Sequence, residues 1–249
     1  MKKAFLLSLA IAIPFYALVF YFVATSINNI THAVGPAPAN TNQQVPVTVD
    51  KPTPVDATAL DYYYEIGLGS EFGSSSSAAK KWKTSSIAVG VKGMYDQNSL
   101  TCIDQTISDF NTISKEAKLK RTQDNPAITI HFAPESSFGS LLTDYVPGNS
   151  GFFSTYADAT GALNKATVLI DTSSITDVER CHLIREELTQ SLGLMNDSPK
   201  YSDSMFYTEW TRTTQYSDLD KKIISILYGG NGITPGMSRA EIGELFNQK

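Results

Sequence analysis

Glu186, Glu187, Gln190, Asn196 and Asp197 are the residues whose types and spacing could do chemistry. They lie in the stretch E-E-L-T-Q-S-L-G-L-M-N-D at 186–197. A glutamate can ligate zinc, and the side-chain carbonyls of Asn and Gln can ligate calcium. Glu186, Gln190 and Asn196 together supply one charge and two neutral carbonyls. That is a poor set for zinc, which favours imidazole, thiolate or carboxylate. A substitute set of His182 and Glu186, one helical turn apart, with Asp197 or Asp203, follows no recognised template. No nucleophile stands beside a base: Ser204 and the other serines lack a G-x-S-x-G context, and the three histidines are scattered. The same side chains would equally serve to knit a helix to a loop by hydrogen bonds.

A helix must carry this stretch. Thr176 and Glu179 make a T-x-x-E capping box, which predicts a helix start near Thr176. Gly193 predicts its stop, because glycine takes the left-handed C′ conformation without a Cβ penalty. At 3.6 residues per turn Val178, Cys181, Ile184, Leu188 and Leu192 share one side. Glu179, His182, Glu186 and Gln190 share the other, which must face solvent or a cleft. Arg185 reads as a surface or ion-pair residue.

The spacing resembles the H-E-x-x-H-x-x-G-x-x-H motif of metzincin proteases. The resemblance implies that Glu186 and Gln190 stand at the two helical histidines and Glu187 at the general base. Gly193 would be the turn glycine, Asn196 the third ligand and Met205, in Ser-Met-Phe-Tyr at 204–207, the methionine-turn equivalent. Every zinc-binding histidine is replaced, so no zinc or other cofactor is expected. The implied fold is α+β: a zincin-like, metzincin-type domain with a twisted mixed sheet packed on helices. Trp82 before the first strand and the closing Tyr228-Gly229 also look like matrixin features. The sequence is similar as well to a bacterial family of unknown function. Its members share R-E-E-L-T-Q-x-L-G-L-x-N-D, S-D-S-[IM]-F and L-Y…P-G-M-S, present here at 185–197, 202–206 and 227–238.

The chain of 249 residues carries a net charge of −5 and 42% hydrophobic residues, which fits one globular domain with appendages. So small and evenly spread a charge implies no nucleic-acid or anionic-membrane surface. Residues 4–24 form an apolar run behind Lys2 and Lys3. Its length is close to the roughly 20 residues that span a bilayer, and the lysines place the N-terminus inside. We read 1–25 as a signal anchor, with cleavage near 24–26 or 31–33 as the signal-peptide alternative. Residues 26–56 are rich in Pro, Ala, Asn and Thr and read as a flexible tether, leaving 57–249 as an extracytoplasmic domain. Export of a chain with two cysteines predicts a Cys102–Cys181 disulfide.

The domain opens with a helix at 57–66 containing Tyr62, Tyr63 and Tyr64, which cannot all face one side. A strand follows in which Ile87, Val89 and Val91 alternate with Ala88 and Gly90, small residues that predict close cover by a helix. A helix from about 96 to 118 has Ile103, Ile107, Phe110 and Ile113 as its buried stripe. Strands are expected at 128–132, with His131 on the face opposite Ile130, and at 166–171. Residues 134–162 show no period, and the zincin resemblance puts an edge strand there, where a peptide could add as a further strand. Ser217 with Asp220 and Ser238 with Glu241 cap two closing helices.

Three readings follow. The first is a non-catalytic binding module at the cell envelope, gripping a protein or peptide partner in an old substrate groove and touching the membrane through 4–24. The second is a peptidase-like hydrolase working through Glu186, Glu187 and Asp197. The third is a structural subunit of an envelope assembly.

Overall fold

A computed structural model describes residues 56–69 and 78–247. The anchor expected at 1–25, the tether expected at 26–56 apart from Asp56, and most of the serine-rich loop at 73–79 lie outside the described residues. Among the described residues no helix is long and apolar enough to cross a membrane.

Side-chain caps start the main helices. Asp56 accepts the Thr58 N–H (3.0 Å) and opens α1, Ala57–Gly67. Asp96 accepts the Ser99 N–H (2.7 Å) and opens α2, Gln97–Ile113. Thr176 and Ser217 form complete capping boxes for α4, Asp177–Gln190, and α5, Asp218–Tyr228. A short α3, Phe138–Leu141, and a closing α6, Arg239–Asn247, complete the helices. The strands are β1 Lys81–Trp82, β2 Ser86–Gly93, β3 Lys118–Arg121, β4 Ile128–Ala133, β5 Gly151–Ala157 and β6 Ala162–Asp171.

The sheet runs β1-β6-β4-β2-β3, with parallel neighbours throughout; β5 pairs with β6 alone and is antiparallel. The domain is therefore a mixed α/β arrangement of a largely parallel sheet and helices. β1, β3 and β5 are additional to the strands legible from alternation. The helix expected to reach 118 ends at Ile113, because Ser114 caps it and its hydroxyl binds the Ala117 carbonyl (2.6 Å), turning the chain into β3. The small residues of β2 are not there for a helix. A Cβ on Gly90 would meet Pro126 at 2.6 Å, so the loop between β3 and β4 covers that face.

One core joins the sheet to α1, α2, α4 and α5 through Tyr63, Ile87, Val89, Phe110, Ile130, Phe132, Val168, Ile184 and Ile223. A second, smaller cluster of Phe138, Leu142, Phe152 and Leu169 seats β5 against α3. Tyr62 and Tyr63 are buried and Tyr64 is half-buried, with the Arg239 guanidinium 4.3 Å from its ring centroid.

Cys102 of α2 is bonded to Cys181 of α4 across a sequence separation of 79, with Cα atoms 5.5 Å apart. In the chain-entropy model such a loop is worth about 4 kcal/mol. Reduced, alkylated protein should therefore unfold in urea with a loss of about that size; superimposable curves for the two forms would contradict it. Gly193 supports a second prediction. Its φ is +110° and an added Cβ would lie 2.1 Å from the Lys80 carbonyl oxygen, backbone that cannot swing aside. Gly193→Ala should lose more than about 2 kcal/mol by urea unfolding, and a midpoint within error of wild type would show the turn to be soft.

Candidate functional site

Residues 182 to 194 are buried without interruption, so the helix carrying the candidate site has no solvent face along that length. The amphipathic reading needs correcting on this point. Val178, placed on the apolar stripe, is 50% exposed, whereas the polar stripe of Glu179, His182, Glu186 and Gln190 is buried. Each of these polar side chains consequently has a protein partner.

The segment at 207–216, lying along α4, supplies partners to two of the four, Glu179 and His182. Glu179 accepts from Trp210 Nε1 (3.2 Å) and from Arg212 Nη2 (3.0 Å). Its carboxyl is held down to about 2 by the Thr176 N–H, then by the Thr176 hydroxyl, Trp210 and Arg212. His182 Nδ1 meets the Thr213 carbonyl at 2.7 Å, and its Nε2 lies 3.3 Å from Glu186 Oε2. Burial pushes the His182 pKa down, but the Glu186 carboxylate and the Thr213 carbonyl outweigh it, so the net shift is upward. Only the imidazolium can donate to both oxygens. Thr189 Oγ1 lies 2.6 Å from Tyr216 Oη.

Arg185 is not a surface residue. It is 1% exposed, donates to Asp109 of α2 at 2.7 Å and lies 4.5 Å from the Tyr216 ring centroid. Its Nε and Nη1 have no hydrogen-bond partner among the described residues.

Past the helix, Trp82 Nε1 donates to the Ser191 carbonyl (3.0 Å) and Tyr228 Oη to that of Leu192 (2.6 Å). Asn196 does not return beside Glu186. It donates to the Glu65 carbonyl (3.1 Å) and its own N–H to that of Ile66 (3.2 Å), satisfying the end of α1. Asp197 comes back instead, accepting from Gln190 Nε2 at 2.7 Å. The side chain that meets Glu186 is His182, not Gln190 or Asn196. Met205 is fully buried and donates its N–H to Asp220 (2.9 Å); Asp203 is exposed.

Glu186, Glu187, Gln190 and Asp197 face a cleft of about 190 Å³. α4 forms its floor, residues 148–153 one wall and residues 207–210 the other. The floor and first wall approach closely, since a Cβ on Gly151 would fall 2.4 Å from Glu187 Oε1. β5 presents a free edge beside this cleft. The bond from the Asp171 N–H to the Ser150 carbonyl (2.8 Å) sets the antiparallel alternation. With Gly151 opposite Ile170, residues Gly151, Phe153 and Thr155 turn their backbone groups away from β6. Among the described residues no other strand pairs with β5. Sequence reasoning missed Trp210, Glu209 and Phe153 as lining residues. Trp210, alone among polar neighbours and 57% exposed, was the available signal. Among the described residues no group of three His, Cys, Asp or Glu side chains could hold a metal ion.

The fold and this arrangement define a mixed α/β domain with a carboxylate-lined cleft between a buried helix and a free sheet edge. Residues 56–248 match the family described as "Protein of unknown function (DUF2927)", and the chain belongs to that family. No curated protein matches the sequence. Two solved structures of myroilysin are similar to it. One has 13% identity and a TM-score of 0.41, covering 60% of this chain and 95% of its own. The other has 12% identity and a TM-score of 0.42, covering 67% and 92%.

The upward shift of His182 fixes the sign of a pH effect. Its stabilisation is complete below the unfolded value of about 6.5 and is lost as pH rises through the higher folded value. The gap in urea midpoint between wild type and His182→Gln should be wider at about pH 5.5 than at about pH 8.5. An equal gap at both would show that the ring is not held as the imidazolium.

Proposed function

We propose that this chain is a membrane-held, extracytoplasmic module whose zincin-like domain binds an extended peptide or protein segment without hydrolysing it. The observation that carries the reading is the free β5 edge running beside the cleft. An edge with outward backbone groups is a template for one more strand, and side chains of the added strand would drop toward α4. The zincin-like relationship is supported by the spacing at 186–193 and by a lone antiparallel strand at the rim of an otherwise parallel sheet. Anchorage through residues 4–24 on the outer face of a membrane is supported by the sequence.

The absence of catalysis is supported by the donor set. A zincin would need zinc on the α4 positions of Glu186 and Gln190 and at Asn196. Here Glu186 is paired with His182, Gln190 is spent on Asp197 and Asn196 is turned to α1. These residues do not fit a zinc ion. Without a Lewis acid Glu187 has no means to make water nucleophilic at neutral pH.

The test uses full-length protein in detergent, immobilised and exposed to a degenerate pool of capped heptapeptides, with retained and free peptides read by mass spectrometry. Retained peptides should be intact. Phe153→Pro, which removes an outward N–H without breaking the ladder to β6, should cut retention about tenfold. Cleaved peptides would promote the hydrolase, and intact protein that retains nothing would leave a structural role.

A further inference from the structure

The cleft has a chemical preference as well as a shape. Its lining includes the carboxylates of Glu186, Glu187, Asp197 and Glu209, faced by His182, and among the described residues no lysine or arginine lines it. His182 offsets one of these charges. Glu186 is 8% exposed, and its contact with His182 uses Oε2. Oε1 accepts no hydrogen bond from any described residue, although it belongs to a side chain lining the cleft. Oε1 opens onto the cleft, so a donor brought by a ligand adds a hydrogen bond to a largely buried carboxylate that no described protein group supplies. A cationic donor adds more, because the low-dielectric surroundings strengthen the attraction.

The rim supports the same chemistry. Trp210 stands at the mouth, 57% exposed, with its indole N–H fixed on Glu179, so the ring is held in place while much of it stays open to solvent. An aromatic face so placed covers the aliphatic stem of a long cationic side chain or meets its charge. The β5 edge constrains the backbone bearing that side chain to be extended.

We infer that the segment taken by this cleft carries a lysine or arginine, whose charged head sits beside Glu186 Oε1 while its backbone adds to β5. The inference rests on the peptide-binding reading above.

The same immobilised full-length protein and capped heptapeptide pool test it, now with composition as the readout. The retained pool should be enriched several-fold in lysine and arginine over the input. Glu186→Gln, with folding verified by its thermal melt, should still retain peptides but lose that enrichment. Glu209→Gln, at an exposed rim position that cannot compromise folding, should reduce it in part. Replacing the basic residue of a retained peptide with norleucine should cost about tenfold in affinity. A retained pool with the composition of the input would overturn this inference and leave peptide binding intact. Enrichment that survives both substitutions would overturn the placement beside Glu186. If nothing is retained, the peptide-binding reading falls and this inference with it.

Discussion

A helix enclosed along most of its surface leaves its polar side chains little water, so most must find a partner in the protein or cost several kcal/mol. Much of this domain follows from that constraint acting on α4. The helix packs against α2, β5 and β6 and carries glutamate, histidine, arginine, threonine and glutamine through the interior. Asp109 of α2 answers Arg185, and Tyr216 lies under the same guanidinium. Arg212 and Trp210 answer Glu179, and the Thr213 carbonyl answers His182. Irregular chain at 207–216 is thereby fixed by α4 rather than by any secondary structure of its own.

The cleft is what this covering leaves open. The segment lies on α4 near Glu179, His182 and Thr189, and its residues 207–210 stand across the cleft from residues 148–153. The helix beneath is held at both ends. The disulfide ties Cys181 to α2, and Trp82 and Tyr228 bind the carbonyls of Ser191 and Leu192. A floor fixed in this way loses little freedom when a ligand arrives, which lowers the entropic cost of association.

Local signals were legible and long-range ones were not. The capping boxes of Thr176 and Ser217 and the alternation of Ile128, Ile130 and Phe132 are short-range patterns, and they placed α4, α5 and β4. The disulfide was expected from the count of two cysteines in a chain read as exported. β1 and β3 are too short to show a period, and β5, GFFSTYA, shows no clear alternation of apolar and polar residues. Arg185 defeated the sequence reading because a buried arginine looks like a surface one until Asp109 and Tyr216 are brought to it. Asn196 and Asp197 are neighbours, and which of them faces the cleft depends on the path of the turn after Gly193. That path is set by the close approach of the Lys80 carbonyl, a contact more than a hundred residues away in sequence.

The three stretches at 185–197, 202–206 and 227–238 meet around this helix, and their roles divide. Arg185, Leu188 and Gly193 of the first piece are packed against α2, the core and Lys80. In the second, Ser204 takes a hydrogen bond from Tyr62 (2.8 Å) and gives one to Asp220 (2.6 Å). The third supplies Tyr228 under the end of the α4 stretch, and Gly236 and Met237 pair with Ala79 just before β1. These residues build the frame. Glu186, Glu187 and Asp197 are set among them yet reach the cleft, and the frame does not call for so many carboxylates on one wall. An apolar or amide side chain at Glu186 would fill the same space without needing His182 as a partner. A buried carboxylate is the costlier choice for stability. The peptide-binding reading proposed above gives that carboxylate a role which the packing of the helix does not require.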